Sequence, residues 1–230
     1  MENTGASVSW ADGSDIMQSS TADICFADDE TIIAVDAIQL QDMMDTVVTD
    51  LKRVGLKVSA AKTSWMGVNI GESNKVMMGD VEIPRYGQLT LLGSIIRCDG
   101  NMTHEVAARI AKGWTYYHTF RYIFENRFVF VKMRILVWEK IVMMFLLWGL
   151  ETASLSKTLR KKMDRCQHQM FSRIARMRRK WSADESWLDF EKRKVRMGRY
   201  LVQKHSILLS DRLLSKVFSW AGHEMYATRC

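Results

Sequence analysis

The chain has 230 residues, 47% of them hydrophobic, so it is long enough to bury a core and to form one or two domains. One proline and thirteen glycines disfavour the turn-rich sandwich and barrel classes and favour long helices. The longest apolar run, Ile141–Leu150, is too short for the roughly 20 residues that span a bilayer, so we interpret it as a buried helix segment and expect no membrane partner.

Charge is divided unevenly along the chain. Residues 1–51 contain eleven acidic side chains and no Lys or Arg, whereas the remaining 179 residues carry a net charge of +18. A basic surface attracts polyanions and gives an affinity for nucleic acid that depends on salt rather than on sequence. Solvated helix faces explain the same charge equally well.

The cysteines and the N-terminal segment bear on the cellular compartment. Cys25, Cys98, Cys166 and Cys230 are far apart and form no CxxC pair, which is typical of free thiols in a reducing compartment. Residues 1–25 lack a basic stretch followed by an apolar one, so the sequence predicts no signal peptide. We expect an intracellular protein of the nucleus or cytoplasm, not a secreted one.

The first predicted elements form a hairpin. Residues 1–20 are polar and have no period, so we expect an irregular segment there. Two β-prone runs follow, Ile24–Ala27 and Thr31–Val35. Asp28-Asp29-Glu30 separates them and predicts a turn with an acidic tip.

A helix and further strands follow the hairpin. Apolar residues recur every three or four positions from Asp36 to Val54, and Gly55 then ends the predicted amphipathic helix as a C-cap does. Val76–Ile83 predicts a second hairpin with its turn at Gly79 and Asp80, and Leu89–Ile96 predicts one more strand.

Beyond about residue 101 every segment has a helical period. Thr103 is the candidate N-cap of the first helix. The predicted helices lie at roughly 103–124, 128–150 and 156–179, and a less regular basic stretch runs from 184 to about 220. The sequence therefore predicts the α+β class, with a sheet and a helix at about 21–100 and helices alone at about 101–225.

The acidic hairpin is the first candidate for chemistry. Adjacent aspartates at a hairpin tip, Asp28 and Asp29, suit Mg²⁺ or Mn²⁺, because these hard cations prefer carboxylate and phosphate oxygens. Two such ions roughly 3.5–4 Å apart activate a hydroxyl and stabilise the leaving group in phosphoryl transfer. An Asp-Asp pair is also ordinary turn chemistry, and by itself that alternative is favoured.

Longer motifs around this pair resemble a known family. Phe26-Ala27-Asp28-Asp29 before an apolar strand resembles the palm motif that carries the metal-binding aspartates in reverse transcriptases of non-long-terminal-repeat (LINE-type) retrotransposons. Gly55–Thr63, after about twenty residues of predicted helix, is similar to the Gly-Leu-x-Val-Asn-x-x-Lys-Thr segment of that family. In the family the lysine, here Lys62, lies near the incoming nucleotide. Leu92-Gly93-Ser94 resembles the primer grip, although Leu91 replaces the usual aromatic residue.

The resemblance continues through the basic half of the chain. Leu147–Thr152 is similar to the Tyr-Gly-x-Glu-Thr segment near the end of the thumb of these enzymes. Asp164-Arg165-Cys166 and Trp220–His223 match the downstream Arg-Arg-Cys and Trp-x-Gly-His signatures. The order and spacing of these pieces over residues 22–223 make the resemblance specific.

The resemblance implies an RNA-directed DNA polymerase that uses two Mg²⁺ (or Mn²⁺) ions for nucleotidyl transfer on a primer-template of RNA and DNA. Asp28 and Asp29 are then the catalytic metal ligands. Residues 1–20 are irregular, 21–100 form a partial palm, and 101–230 form the helical thumb and a basic downstream region. The upstream aspartate and the fingers of the family have no counterpart in this sequence, so we expect no polymerase activity from the chain alone.

Two alternatives stay open, a non-catalytic nucleic-acid-binding module and the product of a decayed retroelement. The sequence predicts no oligomeric state.

The segment 157–180 is the strongest basic feature. It has ten Lys and Arg residues against one acid, Asp164, together with an apolar stripe, and so predicts a basic amphipathic helix. Such a helix contacts phosphates, lies on a membrane surface or forms a solvated face, and the family resemblance favours the first. Trp181 and Trp187 can stack on bases, although burial is the favoured role. The candidate nucleic-acid-binding residues are Lys157, Arg160, Lys161, Arg165, Arg173, Arg176, Arg178, Arg179 and Lys180.

Overall fold

The computed structural model describes residues 23–27, 29–69, 71, 74–151, 155–180 and 185–227, with the backbone alone for 23 and 220–227. The fold is α+β, as predicted: helices predominate, and the described strands form three two-stranded antiparallel sheets. The chain divides into two compact units, Met1–Asn101 (unit 1) and Met102–Cys230 (unit 2). This division falls beside the predicted boundary, whereas the assignment of the units to a palm and a thumb stays a prediction.

Unit 1 contains all the described strands and one helix. Each strand pairs with the next one along the chain, so the three sheets are hairpins. The elements are β1 Asp23–Phe26, β2 Asp29–Ile32, α1 Ala37–Arg53, β3 Met77–Met78, β4 Val81–Glu82, β5 Gln88–Leu91 and β6 Ser94–Arg97. A small core of Met44, Trp65, Val76 and Ile83 joins α1 to the β3–β4 hairpin.

Both ends of α1 are capped by sequence-local hydrogen bonds. The side chain of Asp36 accepts a backbone N–H of the first turn at 2.8 Å. At the other end, Gly55 N–H donates to the Lys52 carbonyl at 3.1 Å and Leu56 N–H to the Leu51 carbonyl at 2.9 Å, which is a Schellman motif. Gly55 has a φ of 83°, which glycine adopts without a steric penalty. The predicted helix and its C-cap are confirmed.

One strand prediction in unit 1 is confirmed and one is wrong. The β3–β4 hairpin has Gly79 in its turn at a φ of 60°, as predicted. The single strand predicted at Leu89–Ile96 is instead the β5–β6 hairpin, with Leu92 and Gly93 in the turn at φ values of 48° and 78°. The sequence pattern hides this turn because a leucine rarely adopts a positive φ.

All described elements of unit 2 are helices. They are α2 Thr103–Thr119, α3 Arg121–Phe124, α4 Val131–Leu147, α5 Lys157–Ile174, α6 Trp187–His205 and α7 Leu209–Ala227. The basic stretch from 184 to about 220 therefore consists of two regular helices, and the helix predicted at 103–124 breaks at Phe120. Thr103 is not an N-cap: Met102 occupies that position, without a side-chain hydrogen bond to the helix.

The core of unit 2 surrounds α5. Met163, Met170, Phe171 and Ile174 are all fully buried on one side of this helix. The Trp138 indole N–H of α4 donates to the Met170 sulfur at 3.2 Å, and its ring meets that of Phe171 edge-on at 4.9 Å. Full burial of a Met, Phe or Ile side chain contributes about 1.5–3 kcal/mol to the free energy of unfolding. The predicted apolar stripe is therefore the main contact surface of α5.

A buried amide on α5 holds the connection between α6 and α7. Gln167 Nε2 donates to the Ile207 carbonyl at 2.9 Å, and Gln167 Oε1 accepts the N–H of Leu209, the first residue of α7, at 3.0 Å. One turn earlier, the carboxylate of Asp164 accepts the N–H of Ser210 at 2.9 Å. These bonds satisfy N–H groups that a helix leaves unpaired at its start, and the carboxylate also complements the helix dipole.

Two further contacts define the last turn of α5 and the place where α6 crosses it. Arg134 is buried, and its Nη1 donates to the carbonyls of Phe124 at 3.1 Å and Ile174 at 2.6 Å, so it caps the last turn of α5. Burial lowers the pKa of Arg134 from its usual value. At Gly198, α6 crosses so close to α5 that a β-carbon would overlap the backbone oxygen of His168. Glycine is therefore needed at this crossing.

The thiols agree with expectation, whereas the predicted buried run is buried in part: Met144 and Trp148 are exposed, and α4 ends at Leu147. Cys98 and Cys166 are free thiols, and burial raises the pKa of the Cys166 thiol to about 12. Four residues of the predicted buried run, Val142, Leu146, Leu147 and Leu150, are buried in the core of unit 2. Among the described residues, no helix is both long enough and apolar enough to cross a membrane.

We predict that Gln167→Leu destabilises unit 2, because it leaves the buried Leu209 N–H without its acceptor and removes a donor from the Ile207 carbonyl. The expected loss is about 1–3 kcal/mol of unfolding free energy, measured by urea denaturation followed by helical circular dichroism. Gln169→Leu, an exposed position on the same helix, is the matched control and should change little. Equal stability of the two variants would contradict the role of Gln167.

Candidate nucleic-acid interface

The β1–β2 hairpin carries the predicted metal ligands. Asp28 lies outside the described residues. Asp29 is exposed and is the first residue of β2, where it pairs with Phe26, and Glu30 follows within the strand opposite Cys25. The prediction that Asp29 and Glu30 lie in the turn is therefore wrong, because both residues join the strand ladder.

The surroundings of Asp29 limit what it can do alone. Its exposed carboxylate is a hard oxygen ligand and fits Mg²⁺ as one member of a set. Over the part of the chain that the structure describes, no group of three or more His, Cys, Asp and Glu side chains is placed to hold a metal ion. A two-ion site needs further carboxylates beyond those that this part supplies.

The other candidates of unit 1 lie in turns or at the start of a strand. Lys62 is exposed, and its N–H donates to the Ser59 carbonyl at 3.0 Å in a turn between α1 and β3. Leu92 and Gly93 form the turn of the β5–β6 hairpin, and Ser94 begins β6. These candidates thus lie in separate segments of unit 1, and their grouping into one polymerase site stays a prediction.

The exposed side of α5 carries a row of cations. Lys157, Lys161 and Arg165 are exposed and four residues apart, so they form one ridge along the helix, and Lys162 is exposed beside it. We call these four residues the α5 ridge. Arg160 does not belong to it, because it is partly buried and its Nε is shielded from solvent.

Arg173 extends the exposed side of α5 toward α2. Its guanidinium lies over the ring of Trp114, 4.8 Å from the ring centroid, in a cation–π contact. The side chain stays exposed and is held in one orientation by this contact. Arg173 therefore presents a positive charge at the C-terminal end of the helix.

The last four basic candidates lie beyond α5. The helix predicted to reach about 179 ends at Ile174, and Arg176 has a φ of 53°, which turns the chain away from the helix axis. Arg176, Arg178 and Lys180 are exposed in an irregular segment, and Arg179 is partly buried. The prediction of one continuous basic helix is therefore wrong for Arg176, Arg178, Arg179 and Lys180.

Glu185 ties this irregular segment to α6. Its carboxylate accepts two hydrogen bonds from Arg193, at 2.7 and 2.8 Å, and one from the Lys180 N–H at 2.9 Å. These bonds lower the pKa of Glu185 to about 2; the bonds from Arg193 have the larger effect, and the bond from Lys180 the next largest. Arg193 also donates to the Arg178 carbonyl at 2.9 Å, and Arg179 Nε donates to the Glu185 carbonyl at 2.6 Å. The segment is thereby held by its backbone and by Arg179.

Two more cations lie beside α5 that the sequence analysis did not single out. Arg196 and Arg199 are exposed on α6, three residues apart and on either side of Gly198, where α6 crosses α5. Arg199 acts electrostatically on His168 of α5, whose pKa is lowered mainly by burial. The spacing of Lys192, Arg196 and Arg199 on one helical face was the available sequence signal.

The two tryptophans considered for stacking differ in outcome. Trp181 lies outside the described residues. Trp187, at the start of α6, is 64% exposed, so the prediction of its burial is wrong. An exposed indole in a basic unit is available to stack on a base.

Comparison with known proteins gives no match, since no protein-family model, no curated protein and no solved structure matches this chain. The resemblance to reverse transcriptases therefore rests on the sequence motifs.

We predict that Glu185→Gln loosens the segment before α6, because an amide cannot accept the charge-assisted bonds from Arg193. Limited trypsin digestion should cleave this variant faster than the unmodified chain after Arg178, Arg179 or Lys180, as mass spectrometry of the fragments would show. Glu191→Gln, which removes a partly exposed ion pair to Lys194 on the same helix, is the matched control. Equal cleavage of both variants would contradict the role of Glu185.

Proposed function

We propose that this chain is part of the RNA-directed DNA polymerase of a non-long-terminal-repeat, LINE-type retrotransposon, and that unit 2 binds nucleic acid. The order of the motifs from Phe26 to His223 supports the family. The α5 ridge, whose cations face solvent on the side opposite the buried stripe, is the observation that carries the binding function. The ligand is the RNA and DNA of a primer-template, in the nucleus or cytoplasm.

The charge balance of the two units supports this proposal. Unit 2 contains 26 basic and 11 acidic residues, a net charge of +15, whereas unit 1 contains 7 basic and 15 acidic residues, a net charge of −8. The ion pairs observed in the described part of unit 2 include none of the α5 ridge residues. Their charges are therefore available to a polyanion.

The length of the α5 ridge suits a nucleic-acid strand. Eight residues separate Lys157 from Arg165, a rise of roughly 12 Å along the helix. One strand of a duplex presents a phosphate about every 3.4 Å of axis, so the ridge spans roughly three or four phosphates. Arg173 near the end of α5 and Arg196 and Arg199 on α6 are further exposed cations of unit 2. Contacts of this kind hold a strand without reading its bases.

For the polymerase part, we propose Asp28 and Asp29 as ligands of Mg²⁺ (or Mn²⁺), which when bound would polarise the attacking hydroxyl and the phosphate. Lys62 is proposed near the nucleotide, and Leu92, Gly93 and Ser94 near the primer. A further carboxylate is needed to complete a site for two metal ions, so we propose no nucleotidyl transfer by the chain alone.

A second candidate function is a non-catalytic nucleic-acid-binding module. The observation that favours it is that the α5 ridge belongs entirely to unit 2, so the proposed binding requires none of the candidates in unit 1. The two functions differ in whether Asp28 and Asp29 bind a metal ion.

We predict that an RNA–DNA hybrid binds unit 2 with a steep dependence on salt. If the four ridge residues each neutralise a phosphate, the slope of log K against log salt is about −4, and Lys161→Ala with Arg165→Ala brings it to about −2. Fluorescence anisotropy of a short labelled hybrid at several salt concentrations measures both slopes. Lys112→Ala with Lys140→Ala removes two exposed charges elsewhere in unit 2 and should leave the slope unchanged. An affinity indifferent to salt would rule out this mode of binding.

We predict that Mn²⁺ binds at the β1–β2 hairpin and that Asp28→Asn with Asp29→Asn abolishes this binding, because amide oxygens are much weaker ligands than carboxylates. Electron paramagnetic resonance counts the free Mn²⁺ at millimolar concentration. The matched control is Asp42→Asn with Asp45→Asn, which changes two exposed carboxylates on α1. This variant should bind as much Mn²⁺ as the unmodified chain. Binding that survives in the hairpin variant would leave only the non-catalytic module.

A further inference from the structure

A basic cleft lies in unit 2 between α4 and the connection of α6 to α7. Its volume is about 570 Å³, within the range of about 300–1,000 Å³ that is common for small-molecule sites. The residues that line it are Lys132, Glu139, Lys204, His205, Ser206, Ile207 and Arg212. Only one of these side chains is apolar, so the cleft suits a polar ligand.

The charges of the cleft do not cancel. Glu139, the one carboxylate of the lining, accepts Arg212 Nη2 at 2.7 Å and the Ser206 hydroxyl at 2.6 Å, so Glu139 and Arg212 neutralise each other. Lys204 Nζ donates to the neutral hydroxyl of Tyr200 at 2.9 Å. Among the described residues, Lys132 has no carboxylate within ion-pair distance. Two positive charges therefore remain without a counter-ion, beside an imidazole that can also donate.

The wall of the cleft is held from inside the core. The backbone at Ile207 is fixed by the buried Gln167, and the Ser206 hydroxyl is fixed by Glu139. The backbone of this wall is therefore fixed before an anion enters, and Lys132, Lys204 and His205 supply the donors around it.

We infer that this cleft binds a phosphate group carried by a nucleotide or by a nucleic-acid strand, with Lys132 and Lys204 as the charged contacts and His205 as a further donor. The cleft is polar, carries two positive charges and is large enough for a nucleoside beside the phosphate. It shares no residue with the α5 ridge. The inference goes beyond the proposed function and does not depend on it.

The test uses the full chain and calorimetric titration at low salt with adenosine 5′-monophosphate, inorganic phosphate and adenosine. If the ligand is a free nucleotide, both phosphate-containing probes bind and adenosine does not. The double variant Lys132→Ala with Lys204→Ala should lower the affinity for the nucleotide by at least about tenfold. The control, Lys112→Ala with Lys140→Ala, should keep this affinity within about twofold of the unmodified chain. Thermal unfolding by circular dichroism verifies that all variants are folded.

Titration with a 5′-phosphorylated oligonucleotide separates the two sources of phosphate. Binding of the oligonucleotide alone, weakened by Lys132→Ala with Lys204→Ala, assigns the cleft to a strand, whereas binding of the mononucleotide assigns it to a free nucleotide. Lys161→Ala with Arg165→Ala should leave mononucleotide affinity unchanged, which distinguishes the cleft from the α5 ridge. The inference is overturned if no phosphate-bearing probe binds, or if removal of Lys132 and Lys204 leaves every affinity unchanged.

Discussion

The burial of one side of α5 is the constraint on which unit 2 depends. Trp138 of α4 packs on this side, Arg134 caps its last turn, and Gly198 lets α6 approach its backbone. Gln167 extends the same side into a polar contact that positions the start of α7. Because these contacts bury one side of α5, its exposed residues, the α5 ridge among them, lie on the other side. The charged surface is thus a consequence of how the core packs.

The same network connects the core to the basic cleft. Gln167 and Glu139 hold Ser206 and Ile207, which form one wall of the cleft, while the α5 ridge lies on the exposed side of the helix that carries Gln167. A single packed framework therefore supports two basic surfaces, the α5 ridge and the cleft. The acidic β1–β2 hairpin belongs to unit 1, whose net charge of −8 is unfavourable for a polyanion unless metal ions compensate it.

Local periodicity and capping were enough to predict α1, α4, most of α2 and α5, and two hairpins, because these elements depend on neighbours in the sequence. Asp36 and Gly55 cap α1 through bonds to residues three to five positions away. The end of α5 depends instead on Arg134, which is forty residues from Ile174 in the sequence. No local pattern contains that contact, so the basic helix was predicted too long.

The candidate interface was predictable in composition and not in placement. The alternation of basic and apolar residues identified Lys157, Lys161 and Arg165, but Arg160 turns inward although its charge is the same. Arg196 and Arg199 join the surface only because Gly198 brings α6 against α5. Which cations lie together is decided by helix packing, and a single sequence records that only indirectly.

Lysine footprinting tests the central claim, that nucleic acid lies along the α5 ridge. The protein is acetylated briefly with and without an RNA–DNA hybrid, and modification at each lysine is compared by mass spectrometry. We expect protection of Lys157, Lys161 and Lys162, with Lys112 and Lys140 modified equally in both samples. Unchanged modification of the three ridge lysines in the presence of bound hybrid would contradict it.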